Sequence, residues 1–77
     1  MTRVASTEVK GRPACTVDYT TGEAEAVEAA LAEAFGGRMT DEGDLGSDRR
    51  IRTYMASAAE VHAALVAAGV PATLATD

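Results

Sequence analysis

With 77 residues and a net charge of −5, the chain reads as a single domain spanning residues 1–77 and as a poor general nucleic-acid binder, because such binding needs cations to displace counterions from phosphates. Its one cysteine, Cys15, excludes an internal disulfide, and no apolar run approaches the roughly 20 residues that cross a bilayer. Seventeen large apolar or aromatic side chains besides Met1 make a thin core for this length, so self-association is an expected source of stability.

The opening "MTRVASTEVK" is polar and alternating and lacks the apolar centre of a signal peptide, so a reducing, cytoplasmic setting is expected. Residues 1–12 read as an N-terminal arm or as an extra edge strand that enters through the "KGRP" turn. In "ACTVDYT", Cys15, Val17 and Tyr19 alternate with Thr16 and Asp18, the mark of a half-buried strand.

A helix is expected over "TTGEAEAVEAALAEAFGG". Thr20 and Glu23 form a capping box, and Val27, Leu31, Ala34 and Phe35 recur on one face. Glu23, Glu25, Glu28 and Glu33 lie away from that stripe and read as its solvated side. Gly36–Gly37 reads as a left-handed helix end, with Arg38 placed to complement the helix dipole.

"RMTDE" is a weak strand, as an edge tolerates. "RRIRTYMA" alternates Ile51, Thr53 and Met55 with Arg50, Arg52 and Tyr54. A second helix over "SAAEVHAALVAAGVP" starts at the Ser57–Glu60 capping box, buries Val61, Leu65 and Ala68, and ends at Gly69 before Pro71. "VPATLAT" closes the chain as a short strand.

The element order is (β)βαββαβ. It predicts an α+β fold of ferredoxin-like arrangement, in which two helices cover one face of an antiparallel sheet. The strands holding Val17 and Ile51 are then central neighbours, and "RMTDE" is an edge. Fold analogy of this kind confers no function.

Candidate chemistry narrows quickly. The acidic loop at Asp41, Glu42, Asp44 and Asp48 invites a calcium reading, but an EF-hand counted from Asp41 would place Gly43, Leu45 and Arg52 at ligand positions 3, 5 and 12. No specific metal and no cofactor are expected. Cys15 and His62 are the only thiol–imidazole candidates, and nothing in the sequence places them together or supplies an orienting group. No glycine run has phosphate-cradling spacing. The chain therefore reads as non-enzymatic.

Arg50, Arg52 and Tyr54 remain, all on the strand face turned away from the helices, with Thr16 and Asp18 beside them. One aromatic is too few for the base-stacking platform of an RNA-recognition sheet, so nucleic acid is an unlikely partner. Arg and Tyr are enriched at protein interfaces. The five residues are the candidate partner-binding set. The partner is either a second copy, as a homodimer, or another protein. The alternatives are a small-ligand sensor or binding domain that uses a groove between open sheet faces and a weak nucleic-acid binder through the arginine strand.

Overall fold

The computed structural model describes residues 2–45 and 48–75, the side chains of residues 41–45 excepted. The chain opens with a hairpin of β1 (Thr2–Val9) and β2 (Arg12–Thr20). Their register, Val9 opposite Arg12 through Arg3 opposite Asp18, is set by the two-residue turn Lys10–Gly11. Both turn residues have positive φ, 53° and 76°. This is the mirror-image turn whose twist matches that of the strands it joins, and glycine takes its second position without strain.

A 3₁₀ turn, Thr21–Glu23, leads into α1 (Ala24–Phe35). The Glu23 carboxylate accepts the Thr20 hydroxyl at 2.9 Å and the Thr20 N–H at 3.5 Å, and its second oxygen accepts the buried Thr2 hydroxyl at 3.0 Å. The residue expected to lie on the solvated side of the helix therefore ties its start to two strands. Val27, Ala30, Leu31 and Phe35 are buried, whereas Ala34 is exposed. Gly36–Gly37 does not form a left-handed end. Gly36 keeps right-handed helical geometry (φ −47°), and a 3₁₀ turn continues to Arg38. The Arg38 guanidinium lies 5.4 Å from the Phe35 ring centroid, a cation–π distance.

Then follow β3 (Met39–Leu45), with a register shift between Asp41 and Gly43, and β4 (Asp48–Tyr54). The helix α2 (Ala58–Ala67) begins where Ser57 Oγ accepts the Glu60 N–H at 3.2 Å. It ends at Gly69 (φ 83°), where the Val70 N–H reaches Leu65 O and the Gly69 N–H reaches Val66 O. This pair of bonds is the Schellman arrangement, and it carries Val70 into the core. Ala68, expected in the apolar stripe, is exposed and Ala58 is buried instead. The last strand, β5 (Ala72–Leu74), has three residues.

The strand order is β3-β4-β2-β1-β5. The expected α+β class, the central β2–β4 pair and the edge position of β3 are present. The all-antiparallel ferredoxin-like sheet is not. β1 is no edge strand: it lies between β2 and β5, and β5 pairs with it in parallel, Thr2 with Ala72 through Val4 with Leu74. The physical reason is burial. Thr2 and Val4 sit at 0% exposure beneath the helices, a place that an edge arm would not fill.

Both helices pack on the face that carries Val4, Cys15, Val17, Tyr19 and Ile51. They cover only part of β1, whose Ser6 and Glu8 are exposed although they share a face with Val4. The hairpin end thus projects past the helical layer. Among the described residues, no helix is long and apolar enough to cross a membrane.

Candidate functional site

The cross-strand register decides which side chains share the open face. Asp18 pairs with Arg50, Thr16 with Arg52 and Ala14 with Tyr54. On the other side of β2, Arg3 lies opposite Asp18, Ala5 opposite Thr16 and Thr7 opposite Ala14. All five sequence-selected residues, Thr16, Asp18, Arg50, Arg52 and Tyr54, therefore lie on one surface and are half-buried. Among the described residues, no helix covers it.

Asp18 holds Arg50 through two contacts, Nε to Oδ1 at 2.6 Å and Nη2 to Oδ2 at 3.3 Å. The side chains are 30% and 41% exposed, so the pair adds little net stability. Its effect is to fix the arginine in one orientation. Arg49, the alternating neighbour, turns to the helical side and meets Glu28 at 3.3 Å. Of the α1 glutamates, Glu25 and Glu33 are the exposed ones.

Among the described side chains, charge is unevenly placed between the open face and the helices. Arg3, Arg12, Arg50 and Arg52 project from the open face, and Lys10 stands at its hairpin end. The acids described on that face are Asp18 and Asp48. By contrast, α1 and α2 carry Glu25, Glu28, Glu33 and Glu60 and neither Lys nor Arg. The acidic first helix and the arginines of β4 were legible in the sequence; the place of Arg3 was not, because residues 1–12 read equally as an arm or as an extra edge strand. The alternation in "TRVASTEV", which puts Arg3 opposite in facing to Val4, was the available signal.

At the hairpin end of the same face lies an open groove of about 600 Å³, lined by Val9, Lys10, Arg12, Pro13, Tyr54 and Met55. The expected inward facing of Met55 is incorrect. Strand β4 ends at Tyr54, and Met55 turns out in the left-handed region (φ 57°), 57% exposed. Two hydrogen bonds impose that turn: the Met55 N–H donates to Pro13 O at 2.9 Å, and Arg38 Nη1 donates to Met55 O at 3.1 Å.

The other candidate groups have structural partners. Cys15 is buried, its Sγ 2.9 Å from Thr53 Oγ1, while the Thr53 hydroxyl also reaches Cys15 O at 3.4 Å. Burial raises the thiol pKa, and the Thr53 hydrogen bond offsets this only in part. A thiol reagent at pH 8 is therefore expected to label the folded protein at least about a hundredfold more slowly than the urea-unfolded chain. Equal rates in a stopped-flow assay would show an accessible thiolate instead. His62 Nε2 lies 3.1 Å from Ala72 O and ties α2 to β5.

Among the described residues, no three His, Cys, Asp or Glu side chains converge as a metal site requires. The side chains of Asp41, Glu42 and Asp44 in the acidic loop lie outside the described residues. Comparison with protein-family models, curated proteins and solved structures returns no match.

Proposed function

We propose that this chain is a small, non-enzymatic protein-interaction module whose open sheet face, centred on Arg50, Arg52, Tyr54, Thr16 and Asp18, binds an acidic surface of a partner protein. The observation that carries the reading is the sorting of charge. Five cations, Arg3, Lys10, Arg12, Arg50 and Arg52, stand on or beside a face with two described acids, in a chain whose net charge is −5. Complementary charge speeds encounter and sets partner choice. Asp18 supports it by restricting Arg50 before any partner arrives, which lowers the entropy lost on binding.

The same polarity disfavours a face-to-face homodimer, which would set cations against cations. Self-association has one other route. The acidic helical layer of one copy complements the basic face of the next, in a head-to-tail contact that does not close by two-fold symmetry. Sedimentation equilibrium at about 100 μM separates these cases, since a weaker contact is worth under about 6 kcal/mol. A closed dimer there would favour the face-to-face assembly.

Fluorescence anisotropy with labelled polyglutamate, polylysine and polyuridylate tests the main reading. Polyglutamate is expected to bind, and more weakly as salt rises from about 50 to 200 mM. Arg52→Glu is expected to reduce its affinity roughly tenfold or more. No binding of polyglutamate, or a preference for polyuridylate, overturns the proposal.

A further inference from the structure

The groove at the hairpin end has features that an evenly charged surface lacks. Val9, Pro13 and Met55 supply apolar walls, Tyr54 supplies an aromatic ring, and Lys10 and Arg12 stand at its margin. Neither cation has an ion pair or side-chain hydrogen bond among the described residues.

Met55 is the informative residue. A large apolar side chain that is more than half exposed loses the gain of burial, and a left-handed backbone strains methionine, which lacks the tolerance of glycine or asparagine for that region. Both disadvantages fall on one residue, fixed there by bonds to Pro13 O and from Arg38. Strained positions of this kind cluster at ligand clamps and binding sites.

From this we infer that the groove is the anchor pocket of the acidic-partner face. It takes one aromatic or large aliphatic side chain of an acidic peptide segment, between Met55 and Tyr54, while Lys10 and Arg12 pair with carboxylates on either side of that anchor. The inference rests on the acidic-partner reading above. Charge complementarity selects the acidic flanks: two cations without described partners cannot be desolvated by a neutral or basic segment without loss. The apolar walls select the anchor, and Met and Tyr are residue types enriched at the buried centres of interfaces. An open groove of this shape suits a side chain presented by a larger partner. A free small ligand calls for deeper enclosure, since ligand sites bury most of the ligand surface.

The test uses two fluorescein-labelled peptides of equal length, one of glutamate alone and one with a central Phe flanked by glutamates. The Phe peptide is expected to bind at least about tenfold more tightly, as burial of one aromatic side chain allows. Met55→Gly suits φ 57° and is expected to keep the fold, which circular dichroism and thermal unfolding would verify. It is expected to erase the difference between the peptides while keeping the affinity for the all-glutamate one. Met55→Asn, which also tolerates the left-handed region, is expected to act in the same way.

Equal affinity of the two peptides for the wild type overturns the anchor pocket, and so does an undiminished Phe preference in both variants. In either case the face reading stands if Arg52→Glu still weakens the all-glutamate peptide. Failure of both peptides to bind overturns the face reading and the pocket with it. Tighter binding of a labelled single-stranded RNA of equal length would replace a protein partner with a nucleic acid.

Discussion

Leu31→Ala is expected to destabilise the protein by about 3 kcal/mol, read from the midpoint of urea unfolding followed by circular dichroism. Leu31 is fully buried on α1 and belongs to a core cluster that joins both helices to β1, β2 and β4. Truncation removes three carbons from that cluster and leaves a cavity among side chains of both helices and the sheet. Those on β2 and β4 cannot move inward without disturbing the β2–β4 ladder. A domain of this length holds about 4–12 kcal/mol in all, so the variant should lose a large share of its stability. A loss under about 1 kcal/mol would mean that α1 does not seat on the sheet as described.

The glycines carry the second large effect, with opposite signs at the two helix ends. Gly69→Val is expected to cost about 2 kcal/mol, because φ is 83° there and a β-branched side chain is strained in that region. The loss extends beyond the residue itself. The Gly69 turn brings the Val70 N–H onto Leu65 O and places Val70 in the core, so relaxing the strain would pull a buried residue outward. Gly36→Ala should instead stabilise the protein by about 0.5–1 kcal/mol. Gly36 has helical geometry, and a Cβ there would meet nothing within 4 Å. Thermal or urea unfolding of the two variants side by side checks both signs. Destabilisation by Gly36→Ala would mean that this glycine also leaves right-handed geometry.

These two glycine sites show how far local sequence reaches. "AAGVP" and "AFGGR" look alike as helix endings, and only the first ends in the left-handed region. At Gly69 the local rule and the tertiary demand agree, because Val70 gains a buried position by the turn. After Phe35 the chain must instead reach β3 at the far edge of the sheet, and a 3₁₀ continuation brings Arg38 onto the Phe35 ring and Met55 O. The sites of caps, the β2–β4 alternation and the buried faces of Val27, Leu31, Val61 and Leu65 were legible because each depends on neighbours within four residues or on a two-residue period.

The sequence by itself determined the α+β class, both helix starts at Thr20–Glu23 and Ser57–Glu60, and the common facing of Thr16, Asp18, Arg50, Arg52 and Tyr54. Capping and period-2 alternation are local, and register follows once one strand face is buried. Tertiary structure alone decided that β1 enters the sheet between β2 and β5, because strand order depends on which long-range pairing buries Thr2 and Val4. That insertion added Arg3 to the open face, beside Asp18 and in line with the Arg12, Arg50 and Arg52 already carried by β2 and β4. It also set the Lys10–Gly11 hairpin beside the end of β4, where contacts from Pro13 and Arg38, distant in sequence, hold Met55 outward against its own strand period.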